Sequence, residues 1–140
     1  MILFRSSSPR QVSFGLVVLR IAAGAVFLNH GYQKVFGFGF AGVTGAFTHM
    51  GVPLPGVVAP LIAVLECFGS IAIILGFLTR PLALAFVCDM LGAILLVQLK
   101  NGFSHFELEF MLLGASIALF FTGAGEFSVD AMLGRRNPRV

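Results

Sequence analysis

Four long apolar stretches constrain this chain more than any other feature of its sequence. They cover approximately residues 13–35, 57–78, 81–99 and 106–123. Each approaches or exceeds the roughly 20 residues that a helix needs to cross a bilayer. Lipid leaves no water for backbone groups, so only helices or a closed barrel can span it. Because the stretches are continuously apolar rather than alternating, they predict an all-α integral membrane protein, a four-transmembrane-helix bundle formed by one domain over residues 1–140.

Composition supports this class. Only 11% of the residues are charged and 58% are hydrophobic, with a mean hydropathy of +0.99, whereas soluble domains carry about a quarter charged residues. The net charge of +3 comes from basic residues at the chain ends and in short loops. That distribution is typical of membrane topology. The lipid bilayer is therefore the expected environment, and no nucleic-acid partner is expected.

The basic residues also predict an orientation. Lys34 and Lys100 fall on one side of the predicted bundle, and the other side collects Arg5, Arg10, Arg80, Arg135, Arg136 and Arg139. The positive-inside rule then places both termini in the cytoplasm. The longest loop, 36–56, carries apolar residues at three- and four-residue steps, namely Phe40, Val43, Phe47 and Met50. This spacing predicts a short amphipathic helix that lies at the outer surface or is partly re-entrant.

Three charged residues interrupt the apolar stretches: Arg20, Glu66 and Asp89. A charge within the bilayer is costly, so such residues usually face the bundle interior and pair with one another. Counting about 1.5 Å per helical residue, Arg20 matches Asp89 best in depth, and pairing with Glu66 is also feasible. We therefore predict a structural ion pair drawn from these three residues. Two alternatives stay open: Arg20 could reach lipid headgroups, and Asp89 could be neutral and hydrogen-bonded.

Glycines share helical faces with these charges. The first stretch carries one such stripe, Arg20, Gly24, Phe27, Gly31 and Lys34, and the second carries another, Glu66, Gly69, Ile73 and Gly76. Glycine lets neighbouring helices approach closely, so both stripes are predicted to face inward. In the fourth stretch the corresponding stripe is Glu109, Leu113, Ser116 and Phe120.

Metal and cofactor signals are weak. The three histidines, His30, His49 and His105, lack the spacing of metal ligands on one helix. Haem held by two histidines would need His30 and His105 to face each other, and this is not favoured. Neither a nucleotide-binding glycine motif nor a Cys-x-x-Cys pair is present. No metal and no intrinsic cofactor are therefore expected.

Four short motifs run through nearly the whole chain: LRIAAGAVFLNHGYQKVFGF, AVLECFGSIAIILGFLTRPLAL, LKNGF and FELEFMLLGASIALFFTGAGEFSVDAML. Their order resembles that of the DoxX family of small bacterial membrane proteins. The resemblance implies a four-helix bundle in the bacterial plasma (inner) membrane. Related proteins are named for a subunit of a thiosulfate:quinone oxidoreductase, and others act beside redox enzymes in oxidative-stress defence. Asp89 lies outside the family pattern, whereas Arg20 and Glu66 lie within it.

Three functions compete. The first is a redox-linked subunit that binds a quinone or similar lipophilic molecule. Its candidate ligand-binding residues are Arg20, His30, Lys34, Glu66 and Glu109. Glu66 is also the candidate catalytic residue, which would exchange a proton with the ligand. Because no electron carrier is evident in the chain, such an oxidoreductase subunit needs a redox-enzyme partner. The second is a small transporter or lipid-binding protein, which would require a homo-oligomer. The third is a structural anchor or assembly partner for a membrane complex.

Overall fold

The computed structural model describes residues 6–136, and this part of the chain contains helices and turns but no β-strand. The first helical stretch consists of α1 (Pro9–Tyr32), a π-helical segment (Gln33–Phe38) and α2 (Gly39–His49). The second consists of α3 (Pro55–Val64), a π-helical segment (Leu65–Gly69) and α4 (Ser70–Leu75).

The remaining helices follow the turn after α4. The third helical stretch consists of α5 (Thr79–Gly92), a π-helical segment (Ala93–Gln98) and a 3₁₀ turn (Leu99–Asn101). A second 3₁₀ turn (Phe103–His105) leads into α6 (Glu107–Thr122), and α7 (Val129–Arg136) ends the described chain.

Three of the helical stretches are long and apolar enough to cross a membrane: Pro9–His49 with 41 residues, Pro55–Leu75 with 21 and Thr79–Asn101 with 23. Helix α6 has 16 residues, which corresponds to roughly 24 Å of helix. The described chain is thus an all-helical membrane protein with three helices of spanning length.

Helix α1 begins earlier than its apolar pattern suggests. The Ser8 hydroxyl accepts a hydrogen bond from the backbone N–H of Gln11, and the Gln11 side chain accepts one from the Ser8 N–H at 2.8 Å. This reciprocal cap satisfies two N–H groups that a helix start leaves unpaired. Pro9 then fits the first position, where no N–H is needed.

The segment predicted as an outer-surface helix is largely helical, but it is the end of the first helical stretch and no loop separates it from α1. Gly39 has φ of +69°, a conformation that glycine adopts at little cost, and it turns the chain from the π-helical segment into α2. Helix α2 packs against α3. Val43 is buried and Phe47 partly buried, whereas Phe40 lies on the exposed side.

The first and second helical stretches pack antiparallel through glycines. Gly31 lies against the backbone of Glu66 and Cys67, so closely that a Cβ on Gly31 would overlap it. Gly24 lies against Ile74 in the same way, and Gly76 lies against the Arg20 guanidinium. Apart from the partly buried Lys34, every residue of the two predicted glycine stripes is buried, which confirms the inward faces.

The core lies between this pair and the pair formed by α5 and α6. Phe27 of α1 stacks on Phe86 of α5 with ring centroids 4.0 Å apart. Helix α6 presents a buried face rotated from the predicted one: Leu112, Ser116 and Leu119 are buried, whereas Glu109, Leu113 and Phe120 are only partly buried.

The two terminal segments meet the turn between α4 and α5 at one end of the bundle, which we call the terminal end (residues 8–13, 76–80 and 123–130). The Asp130 carboxylate accepts hydrogen bonds from the backbone N–H groups of Leu78 and Thr79, at 2.8 and 2.9 Å. The Asp130 N–H donates to the Gly76 carbonyl at 2.9 Å. Because α5 has no side-chain cap of its own, Asp130 caps it from α7.

Candidate functional site

Lys34, Glu66 and Asp89 form a buried charged cluster between the first, second and third helical stretches. The Lys34 ammonium forms a salt bridge with Glu66 Oε2, and the side chains are 22% and 5% exposed. The Asp89 carboxyl group lies near both Glu66 and Lys34, and the residue is 8% exposed. Two carboxyl groups and one ammonium group therefore share a site that is largely withdrawn from solvent.

The close contact at Gly31 explains why Lys34 reaches Glu66. At Gly31 the backbone of α1 touches the backbone of Glu66 and Cys67. Lys34 follows Gly31 by three residues, so it lies on the same face about one turn further along the helix. The four-carbon side chain of Lys34 is long enough to reach back across this turn to the Glu66 carboxylate.

π-Helical segments surround this cluster. Lys34 lies in the segment Gln33–Phe38, Glu66 lies in Leu65–Gly69, and Ala93–Gln98 begins one turn after Asp89. A π-helical turn is rare and often marks a functional site, because it redirects side chains at the cost of regular hydrogen bonding. All three helical stretches of spanning length thus depart from α-helical geometry at the level of the charged cluster.

A cavity of about 540 Å³ opens beside the cluster. This volume lies within the roughly 300–1,000 Å³ range of small-molecule sites. Its polar lining consists of His30, Lys34, Glu66, Asp89, Gln98 and Glu109, and the rest is almost entirely apolar. Phe47, Met50 and Val52, from α2 and the residues that follow it, cover one side. The cavity has the composition of a site for a lipophilic molecule with a few polar atoms.

The cavity faces the surroundings of the bundle through a gap between α3 and α5. Helix α3 packs mainly against α1 and α2, whereas α5 and its π-helical extension pack against α6. Leu61 on one rim is 65% exposed, and Leu96 on the other is 50% exposed. The cavity therefore reaches the outer surface of the bundle at these two residues, the surface that a bilayer would cover.

The two cysteines differ in exposure. Cys88 lines the cavity next to Asp89 and is exposed, whereas Cys67 is buried behind Glu66. Neither forms a disulfide. Cys88 is therefore a natural reporter of whether the cavity is filled.

The structure brings together four of the five predicted ligand-binding residues. His30, Lys34, Glu66 and Glu109 line the cavity, and Asp89 joins them. Arg20 does not. It precedes Lys34 by fourteen residues on α1, which is roughly 20 Å along the helix axis.

The predicted ion pair of Arg20 with Glu66 or Asp89 needs correction. Within residues 6–136, Glu66 pairs with Lys34, and Arg20 pairs with neither carboxylate. The Arg20 guanidinium instead donates to the Phe127 carbonyl at 2.6 Å and lies against Gly76. The antiparallel register places Arg20 opposite Gly76, ten residues beyond Glu66, and the segment before α7 covers it there. Arg20 is thus buried against the terminal end, away from the cavity.

Sequence reasoning missed three features of the site. It assigned Lys34 to ligand binding but not to a salt bridge with Glu66, although the position of Gly31 on the same stripe was a usable signal. It missed the π-helical segments, for which nothing in the residue pattern provides a signal. It also missed the cavity between α3 and α5, because the lining residues are apolar and look like lipid-facing residues in a sequence.

In the part of the chain that the structure describes, no three histidine, cysteine or carboxylate residues are grouped as the ligands of a metal ion would be. His30 lines the cavity, whereas His49 and His105 are exposed near the ends of α2 and of the 3₁₀ turn.

Comparison with known proteins identifies the family. The DoxX family profile matches residues 15–99. The chain is 31% identical to a Bacillus subtilis protein named "Putative oxidoreductase CatD", over 94% of this chain and 97% of that protein.

Two inner membrane proteins of Escherichia coli are also similar: YphA is 31% identical over 82% of this chain and 87% of its own length, and YqjF is 33% identical over 87% and 94%. No solved structure gives a significant match. The family profile and these full-length relatives agree with the helical fold, and the chain belongs to the DoxX family of membrane proteins.

Proposed function

We propose that this protein is a membrane subunit associated with redox chemistry, which binds a quinone or a similar lipophilic molecule in the cavity beside Lys34, Glu66 and Asp89. The observation that carries the proposal is the placement of a buried charged cluster on the wall of an otherwise apolar, lipid-accessible cavity. Charged residues within a membrane protein usually mark the path or binding site of a substrate, ion or proton.

The cavity suits the two parts of a quinone. A quinone ring is flat and apolar on its faces, and its two carbonyl oxygens accept hydrogen bonds. The Lys34 ammonium group is a donor of the required kind, and His30 lies on the same cavity wall. The gap between Leu61 and Leu96 lets an acyl or isoprenoid tail remain in the bilayer while the ring lies against the cluster.

Glu66 has the position of a proton-exchanging group. Conversion of a quinone to a quinol adds two electrons and two protons, and the protons must reach the carbonyl oxygens. A carboxyl group beside the ring can supply or take a proton when it lies within hydrogen-bond reach. In this proposal a separate redox protein supplies or removes the electrons, in keeping with the oxidoreductase name of the Bacillus subtilis relative.

The same proposal includes a topology of four spans in the bacterial inner membrane, with α6 as the fourth and both termini in the cytoplasm. Arg10 and Arg80 lie at the terminal end together with the start of α7, which supports this orientation under the positive-inside rule. The arginines at positions 5 and 139 lie outside the described residues.

Quinone binding to the purified protein tests the proposal. Cys88 in lipid nanodiscs would be labelled with N-ethylmaleimide at increasing concentrations of decylubiquinone, and the buried Cys67 contributes little signal. We expect the quinone to slow Cys88 labelling severalfold, and Glu66→Gln to weaken the apparent affinity about tenfold, the cost of one charge-assisted hydrogen bond.

Two variants serve as controls. Cys88→Ser should abolish the labelling signal, and Glu126→Gln, an exposed carboxylate at the terminal end, should leave the affinity unchanged. Equal affinity in wild type and Glu66→Gln, or no protection in either, would overturn the proposal.

A further inference from the structure

Asp89 adds a carboxyl group that the salt bridge does not require. Lys34 already balances the charge of Glu66, so an ionised Asp89 would leave one uncompensated negative charge in an apolar site. The Asp89 carboxyl group lies near both members of this pair, so its presence in the cluster needs a reason other than charge balance.

One oxygen of Asp89 remains available to a ligand. Asp89 Oδ2 is buried and accepts no hydrogen bond from any residue in the described range 6–136. Asp89 lines the cavity, and more than nine-tenths of its surface is buried. Buried polar atoms are nearly always paired, so this oxygen marks a place where the bound molecule presents a hydrogen-bond donor.

We propose that Asp89 determines the head-group specificity of the cavity by accepting a hydrogen bond from a hydroxyl group, so that the site favours uncharged, hydroxyl-bearing molecules such as the reduced form of a quinone. The proposal rests on the proposed function, because it concerns the same cavity and ligand class. A ligand that carries only carbonyl or ether oxygens leaves Asp89 Oδ2 unpaired. Sites built to pair a hydroxyl group strongly disfavour analogues that lack it.

The same cluster disfavours anionic lipids in this proposal. The charge of Lys34 is already balanced by Glu66, so a fatty-acid carboxylate would enter a poorly solvated site without a compensating positive charge, and it offers Asp89 no donor. Burial of an uncompensated charge is costly, so we expect free fatty acids to bind weakly although the walls of the cavity are apolar.

Two redox-inert probes measure the contribution of the hydroxyl group to binding. 4-Decylphenol and 4-decylanisole share the ring and the tail, but only the phenol has a donor. Both would be titrated in nanodiscs by protection of Cys88 from labelling, with decylubiquinone titrated in parallel. We expect the wild-type protein to bind the phenol at least about tenfold more tightly than the anisole, the cost of an unpaired buried acceptor.

Substitutions assign the preference to Asp89. Asp89→Leu should reduce the ratio of the two affinities to about one, because it removes the acceptor while keeping the volume similar. Asp89→Asn, which retains an acceptor oxygen, should keep part of the preference and controls for loss of folding. Glu126→Gln should retain the wild-type ratio.

The outcomes separate this inference from the proposed function. Equal binding of phenol and anisole by wild type, or an unchanged ratio in Asp89→Leu, would overturn the role of Asp89, even if decylubiquinone binds. Absence of decylubiquinone binding together with an Asp89-dependent preference for the phenol would support Asp89 as the specificity residue and overturn the quinone function.

Discussion

Lys34 and Glu66 form a salt bridge across the interface of α1 with the second helical stretch, one helical turn from the point where Gly31 brings the two backbones together. The two features depend on each other. The Lys34 ammonium group reaches the Glu66 carboxylate because the two helices are in contact at Gly31. The interface can hold two buried charges because these charges form a pair. The close backbone contact and the charged site are therefore parts of one arrangement.

The first prediction concerns Gly31. A Cβ at this position would overlap the backbone of Glu66 and Cys67, which cannot move aside as a flexible side chain can. We expect Gly31→Ala to separate the helices and to lower the free energy of unfolding by about 1–3 kcal/mol, the usual cost of overpacking. Reversible unfolding in detergent, followed by circular dichroism, measures this change.

Gly114 provides the matched control. It is an exposed helical glycine of α6 with no atom within 4 Å of an added Cβ. Gly114→Ala should be neutral or stabilising by up to about 1 kcal/mol, because alanine is the better helix former. If Gly31→Ala proved as harmless as Gly114→Ala, the backbone contact would not have the role described.

The second prediction is a coupling energy between Lys34 and Glu66. Removal of one partner leaves the other charge buried and unpaired, which is more costly than removal of both. We expect Lys34→Met and Glu66→Gln to be less destabilising in combination than their separate effects imply, with a coupling of about 1–3 kcal/mol in a double-mutant cycle. A cycle with additive effects would show that the two side chains do not depend on each other.

The same relationship shows what the sequence could predict. The apolar stretches, the glycine stripes and the inward position of Glu66 follow from spacing alone, because a helix of 3.6 residues per turn fixes which residues share a face. These features depend on one helix at a time. The sequence could thus predict helices and faces, as well as His30, Lys34, Glu66 and Glu109 as candidate ligand-binding residues.

The pairing of charges between helices could not be obtained in this way. It depends on the relative register of α1 and the second helical stretch, which Gly31 and Gly76 determine through contacts in three dimensions. Depth counting from residue 13 placed Arg20 about two turns into the bundle and thus too close to Glu66, whereas Arg20 lies against Gly76, at the end of the second helical stretch. A shift of one or two turns was sufficient to assign Glu66 the wrong partner.

The third prediction concerns the terminal end. Asp130 accepts two backbone hydrogen bonds from the start of α5, where Leu78 has φ of +49°, a left-handed conformation that is unfavourable for leucine. Asp130→Ala should lower the free energy of unfolding by about 1–3 kcal/mol, because it removes charge-assisted hydrogen bonds that hold this turn. Asp130→Asn should have a smaller effect.

The readout for Asp130 must separate stability from ligand binding. Because Asp130 lies at the opposite end from the cavity, Asp130→Ala should leave the decylubiquinone affinity of the folded protein unchanged, while its thermal unfolding midpoint falls. Glu126→Gln, an exposed neighbour on the same segment, should change neither quantity. A loss of affinity without loss of stability in Asp130→Ala would contradict the separation of the two ends.

The final prediction concerns access from the bilayer. Leu61 of α3 and Leu96 of the π-helical segment that follows α5 both line the cavity and are exposed, so we expect the gap between them to be the entrance. A tryptophan at either position adds bulk across the gap without changing the charged cluster. We therefore expect Leu61→Trp and Leu96→Trp to slow the onset of Cys88 protection by decylubiquinone about tenfold or more. A tenfold slower rate corresponds to an increase of about 1.4 kcal/mol in the barrier to entry. Leu84→Trp is the matched control, because Leu84 is a similarly exposed residue of α5 that does not line the cavity. If all three variants acquired protection at the wild-type rate, the quinone would reach the cavity by a path other than this gap.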